Sequence, residues 1–198
     1  MRRIQFLLNT MASHYSKVLE PRTAMRITWL LLLFTLWLQP STLWAQEPTH
    51  TAPSKLRVLL FLDPECPITQ SYMREIRNLI ADYEPKGVTF EAIFPTYTVT
   101  DAEIKKFFVK YKVPLKGRTD PAHITTKRYG ATTMPEVVLV SGIGQTLYQG
   151  AIDNWYYALG KNRPKATAAY LRNALEAGLQ GAPILVRKTE AIGCLINE

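Results

Sequence analysis

The chain has 198 residues, 47% of them apolar and 20% charged, with two cysteines and a formal net charge of +8. That length suits one ordinary domain with trimmings, and the composition excludes a wholly disordered, collagen-like or disulfide-dense miniature chain. The positive charge does not point to nucleic acid: beyond residue 45 the balance falls to 19 basic against 15 acidic residues, with no Lys/Arg run of the kind that tracks phosphates.

In chain order, residues 1–45 are expected to be a signal-peptide region. Ile27 to Leu38 is an apolar run of 12 residues. A membrane-spanning helix needs about 20, whereas a signal h-region needs about 7–15. Arg26 supplies the positive flank, Pro40 breaks the run, and Ala45 offers a cleavage point. Met25 begins a tidier signal than Met1 and is the alternative start. An uncleaved anchor is the other reading of the same segment, and both place the remainder outside the cytoplasm, in the periplasm or its equivalent. Residues 46–55, with Pro48, Pro53 and Ser54, form a short linker.

The body, residues 56–198, alternates strands and helices. Leu56–Leu62 is a short apolar run of buried-strand length. Pro67 opens a helix, and Ile68, Tyr72, Ile76, Leu79, Ile80 and Tyr83 share one face until Pro85-Lys86-Gly87 stops it. Val88–Phe94 is a second strand. Thr100–Tyr111 is a second helix, with Thr100 and Glu103 forming a capping box. Asp120-Pro121 starts a short helix ending at Tyr129. Glu136–Ser141 and Gln145–Gln149, joined by Gly142-Ile143-Gly144, form a hairpin. Thr167–Leu179 is the last helix, followed by a tail from Gly181. The fold class is therefore α/β: a central mixed four-stranded sheet flanked by helices, with a C-terminal tail. The first two strands, joined through a helix, are expected to be parallel.

Cys66 falls between the first strand and the first helix, directly before Pro67. A thiol there faces unpaired N–H groups and the positive end of the helix dipole, and both favour the thiolate. Thr69 lies one turn on, with a hydroxyl able to hydrogen-bond the sulfur. The plainer alternative is an inert buried cysteine. Met134-Pro135 directly precedes the third strand. Cys194 lies in the tail, 128 residues from Cys66. Two cysteines in an exported chain invite one disulfide. If the tail folds back over the helix start, Cys194 can act as a remote resolving thiol. Otherwise the pair is a permanent staple, worth about 4–5 kcal/mol on the chain-entropy model.

Other signals are weaker. Beyond residue 45 the histidines are His50 and His123. His123 is expected as a solvated or capping residue, and no compact ligand spacing marks a metal site. No cofactor is expected. Trp155-Tyr156-Tyr157 is expected to pack at the edge of the hairpin, with a partner-binding patch as the alternative.

Four elements carry a family resemblance. Asp63-Pro-Glu-Cys-Pro-Ile-Thr69, Gly130-Ala-Thr-Thr-Met-Pro-Glu136, Tyr148-Gln-Gly-Ala-Ile-Asp-Asn154 with Leu159-Gly-Lys-Asn-Arg163, and Thr189-Glu-Ala-Ile-Gly-Cys-Leu-Ile196 occur in this order. Together they resemble exported redoxin proteins of the AhpC/TSA-related group within the thioredoxin-like superfamily. The resemblance implies a thioredoxin-like fold, a redox position at Cys66, a paired role for Cys194, and a cis-proline at Pro135 beside the reactive sulfur. Three departures narrow the activity. Peroxiredoxins carry Thr or Ser where Asp63 stands, thioredoxin's second cysteine is replaced by Thr69, and the second cysteine of copper chaperones of this fold is replaced by Gln70.

The expected function is that of an exported thiol-disulfide oxidoreductase. Its catalytic residues would be Cys66, Cys194, Thr69 and Pro135, and its partners protein thiols or disulfides together with a membrane-bound electron donor. Peroxide reduction through a Cys66 sulfenic acid, an antioxidant role, is the nearest variant. A binding module with a structural disulfide and a copper carrier using soft thiolates are the alternatives from other classes.

Overall fold

The structure is a computed structural model that describes residues 55–197. The signal region, most of the linker and His50 lie outside the described residues. Strand β1 (Arg57–Phe61) leads into helix α1 (Pro67–Tyr83). Strand β2 (Thr89–Phe94), helix α2 (Asp101–Tyr111), strand β3 (Gly117–Thr119) and helix α3 (Ile124–Tyr129) follow. Then come β4 (Thr133–Met134), β5 (Glu136–Val140), β6 (Thr146–Gly150), β7 (Tyr156–Ala158) and β8 (Lys161–Asn162). Helix α4 (Tyr170–Leu179) and strand β9 (Cys194–Leu195) end the chain.

The central sheet has the order β3-β2-β1-β5-β6. β1 and β2 are parallel, as the helical crossover requires, and β5 and β6 form the antiparallel hairpin. β5 runs antiparallel to β1, with Phe61 opposite Glu136. The α/β class and the thioredoxin-like arrangement are as expected, but the sheet has five strands rather than four. β3 escapes the sequence because Gly117-Arg118-Thr119 is short, polar and an edge strand. Its position is set by packing: a Cβ on Gly117 would come within 2.7 Å of the Phe94 ring and 2.9 Å of Ile104.

Beyond the exposed Arg57, β1 is buried on both faces, which explains the apolar run from Val58 to Phe61. Val58 and Leu60 enter one core with Ile76 and Ile80 of α1, Phe107 and Phe108 of α2, and Leu171 and Leu175 of α4. Leu59 and Phe61 enter a second core with Ile93, Met134, Val138 and Val140, against which Tyr129 and Ile196 pack. The tail therefore helps to close the second face.

Helix limits differ from expectation where side chains replace backbone turns. α3 begins at Ile124, not Asp120, because the Asp120 carboxylate accepts from the backbone N–H groups of Thr125 (3.2 Å) and Thr126 (2.8 Å). α4 begins at Tyr170, not Thr167, because Asn154 Oδ1 accepts from the N–H groups of Thr167 (2.8 Å) and Ala168 (2.9 Å). The capping box of α2 forms as expected: Thr100 N–H donates to Glu103 Oε2 at 2.8 Å, and Glu103 N–H donates back to Thr100 Oγ1.

Of the two roles expected for His123, solvated or capping, the structure gives it the N-cap position of α3, where it is buried and its side chain makes no cap bond. Its backbone has φ 53°, and its Nε2 lies 3.0 Å from the Pro95 carbonyl. That oxygen can only accept, so Nε2 carries the proton. Trp155 packs on α1: its ring meets Tyr72 edge-on at 5.5 Å, and its Nε1–H donates to the Arg163 carbonyl at 2.7 Å.

Candidate functional site

Cys66 occupies the N-cap position of α1, with Pro67 as the first helical residue. Proline is tolerated there because the N–H it lacks would find no helical partner. The preceding loop is tied down by Asp63. One carboxylate oxygen accepts from Glu65 N–H at 2.8 Å and the other from the Thr96 hydroxyl at 2.8 Å. The Asp63 carbonyl accepts from Cys66 N–H at 3.2 Å, and Gln70 Nε2 donates to the Pro64 carbonyl at 2.8 Å. The cysteine thus stands on a fixed turn at the positive end of a long helix.

Cys66 and Cys194 are joined by a disulfide, with their Cα atoms 6.2 Å apart. The tail reaches the helix start by a defined path. Gln149 N–H donates to the Arg187 carbonyl, and Thr189 N–H donates to the Gln149 carbonyl, each at 3.0 Å. Thr189 Oγ1 accepts from Ala151 N–H and bonds the Tyr148 hydroxyl. A Cβ on Gly150 (φ 139°) would overlap Thr189, so glycine lets the tail lie against β6. The tail then crosses to β4, where β9 pairs antiparallel with it. Met134 faces Cys194, Thr133 faces Leu195, and Ile196 N–H donates to the Thr132 carbonyl at 2.9 Å.

The Met134–Pro135 peptide is cis. Cys66 Sγ lies 3.3 Å from the Met134 carbonyl oxygen. The site therefore gathers Cys66, Cys194 and the Met134–Pro135 loop from elements far apart in sequence. Thr69 lies one turn into α1 and is fully buried. The expected bond from its hydroxyl to the sulfur is not made, and Thr69 Oγ1 has no hydrogen-bond partner among the described residues. A neutral disulfide sulfur is a weak acceptor, whereas a thiolate is a strong one.

Two contributors went unnoticed in the sequence. Glu136 is buried and shapes the β4 loop: its Oε2 accepts from Thr132 N–H (2.9 Å) and Thr133 N–H (3.3 Å), and its Oε1 from Gln149 Nε2 (2.7 Å). Gly193 is pressed against the same loop, where a Cβ would overlap the Met134 carbonyl group. Both lie inside the stretches that carry the family resemblance. The turn that makes Glu136 an acceptor and the crossing that demands Gly193 are tertiary features.

Asp153, in another of those motifs, accepts from the Tyr72 hydroxyl at 2.6 Å and from Trp155 N–H at 2.8 Å. Burial raises its pKa above the ordinary carboxylate value, and the two hydrogen bonds only partly oppose that. Burial and the bond to Asp153 likewise push the Tyr72 phenol up. Among the described residues no group of three or more His, Cys, Asp or Glu side chains is placed to hold a metal ion.

No family model and no curated protein matches the chain. Solved structures do resemble it. A conserved uncharacterized protein from Geobacillus kaustophilus is 26% identical over 74% of this chain and 79% of its own, with a TM-score of 0.66. A hypothetical protein from Sinorhizobium meliloti is 23% identical over 73% of this chain and 80% of its own, with a TM-score of 0.63. A Chlorobium tepidum chain provisionally named thiol:disulfide interchange protein DsbE is 21% identical, with a TM-score of 0.51. That match covers 64% of this chain and 82% of the other.

Proposed function

We propose that this protein is a thiol-disulfide oxidoreductase acting on protein thiols or disulfides. The observation that carries the reading is the disulfide between the cysteine at the start of α1 and the cysteine of the tail, set against the Met134–Pro135 loop. In the reductive direction, Cys66 thiolate attacks one sulfur of a partner disulfide. A Cys66–partner bond forms, the partner's S–S bond breaks, and its other sulfur leaves as thiolate. Cys194 thiolate then attacks Cys66 Sγ and releases the partner's second thiol. Two electrons pass to the partner, and the Cys66–Cys194 disulfide remains. An electron donor reopens it, and the reverse sequence oxidises a partner dithiol.

Thr69 and Pro135 serve Cys66 in this reading. The buried, unpartnered Thr69 hydroxyl is available to donate to the thiolate once the disulfide opens. Pro135 has no N–H, so the backbone edge offered beside Cys66 stops at Met134. The apolar run at 27–38 supports export of the chain to an extracytoplasmic, disulfide-permissive compartment, where a membrane-bound donor would serve it. Among the described residues no helix is long and apolar enough to cross a membrane.

Burial of Cys66 favours a second reading, a permanent staple in a non-enzymatic binding module. For the copper-carrier alternative, no His, Asp or Glu is gathered with the two cysteines among the described residues. A redox titration of the full chain, read by mass spectrometry of the disulfide, separates the first two. A potential above about −250 mV marks a working couple, whereas resistance to reduction below about −300 mV marks a staple and ends the enzyme reading.

A further inference from the structure

The tail occupies a backbone edge from which an extended strand presents sulfur to Cys66. Cys194 stands opposite Met134 in the β4–β9 ladder, and the Met134 carbonyl lies 3.3 Å from Cys66 Sγ. Three features of the seated strand are specific. Gly193 fits only without a side chain, because a Cβ would overlap the Met134 carbonyl and crowd the Pro135 nitrogen. Ile196 is partly buried and packs against the second core. Leu195, between them, points outward and is 71% exposed. The edge therefore reads a glycine before the cysteine and an aliphatic residue two places after it, and ignores the residue between.

Resting on the thiol-disulfide reading above, we propose that the tail is a template for the partner. The partner is an extended peptide segment of the pattern Gly-Cys-any-aliphatic, which pairs with Thr132–Met134 in the place β9 holds in the oxidised chain. Tail and partner then exclude each other. Cys66 takes the partner's sulfur while the tail is off the edge. Cys194 resolves the mixed disulfide by returning as a strand and displacing the partner strand as its thiol leaves. Docking and sulfur transfer become one exchange, in which each S–S bond broken is replaced by one formed.

The test uses the full chain with Cys194→Ser and two peptides spanning residues 190–197. One has the natural sequence and the other carries Gly193→Val, each with its cysteine activated as a disulfide with 2-thiopyridine. Transfer of peptide to Cys66 releases the thione, which is followed by absorbance. A free small thiol calibrates the intrinsic reactivity of each peptide, and glutathione disulfide serves as a partner that has no strand to dock.

The natural peptide should react faster than the valine peptide by about tenfold or more after calibration, the penalty expected when an overlapping side chain forces a backbone shift. Equal rates for the two peptides would overturn template docking while leaving thiol exchange standing. So would reaction with glutathione disulfide but with neither peptide. No reaction of Cys66 with any of these disulfides would remove the oxidoreductase reading itself, and the proposal with it. The reduced wild-type chain provides the same comparison should Cys194→Ser fail to fold, with peptide release by Cys194 as a second phase.

Discussion

Thr69 and Glu136 show how much a single buried polar atom decides. Thr69 Oγ1 is enclosed in the core with no acceptor, a state that costs about 1–3 kcal/mol for a buried hydroxyl. Replacing it with a near-equal apolar shape should relieve that cost in the oxidised protein. Thr69→Val is expected to stabilise the oxidised chain by about 1 kcal/mol, measured by denaturant unfolding. In a Cys194→Ser background the same change should move the alkylation of Cys66 to higher pH, because the thiolate loses its donor. An unchanged alkylation profile would mean that Thr69 is only a packing residue. Glu136 has the opposite balance, since both its carboxylate oxygens are used, one on the β4 loop and the other on the Gln149 side chain of β6. Glu136→Ala strands the N–H groups of Thr132 and Thr133, and should cost about 1–3 kcal/mol in thermal or denaturant unfolding. A stability equal to wild type would show that water replaces the carboxylate freely.

Short elements here are built by side chains as much as by backbone propensity. α3 is six residues long and starts on the Asp120 carboxylate. Burial alone would raise the pKa of Asp120. The Thr126 N–H and hydroxyl and the Thr125 N–H outweigh that and hold it below the ordinary carboxylate value. A carboxyl with a lowered folded-state pKa contributes stability above its unfolded value and loses it as the pH falls through the folded value. Asp120→Ala should therefore cost about 1 kcal/mol at neutral pH, a typical loss for a cap. The gap between variant and wild type should close in strongly acidic buffer. Unfolding curves across the acid range check this, and a gap that persists in acid would assign the loss to packing instead. Asp153 has the opposite sign. Its raised value makes the folded chain favour the protonated form, so its contribution falls as pH rises through that value. Asp153→Asn keeps an acceptor for Tyr72 and should flatten that part of the stability profile, measured by the same curves.

At the scale of the molecule, one covalent bond closes a loop between residues separated by 128 positions. On the chain-entropy model that closure contributes about 4–5 kcal/mol. Reduction should remove at most that much and act first at the tail's end. β9 has two residues in its ladder, whereas the stretch around Thr189 is held by Gln149, Ala151 and Tyr148. Hydrogen exchange should therefore show Ile196 losing protection on reduction while Thr189 keeps most of its own. Equal loss at both sites would mean that the tail detaches as a whole. No loss at Ile196 would mean that the β4 edge stays covered without the disulfide.

What the chain declares in its sequence is local. Val58–Leu62 is apolar throughout because both faces of β1 are buried there, and the helical spacing from Ile68 to Tyr83 marks the face that meets the sheet. Thr100 and Glu103 announce their capping box because its partners lie three residues apart. Cys66 before Pro67 marks a helix start, and the two residues need no distant neighbour to do so. The elements that escaped depend on contacts between remote segments. Gly117-Arg118-Thr119 carries no strand pattern, yet Ala92 to Phe94 pair with it. Thr167 and Ala168 read in sequence as the start of the last helix but are claimed by Asn154. The bond between Cys66 and Cys194 and the ladder that seats Cys194 opposite Met134 follow from the path of the tail along β6. Periodicity and caps act within a few residues and are written in order along the chain. Strand recruitment, the demand for Gly193 and the meeting of two sulfurs arise when packing brings remote backbone within van der Waals reach.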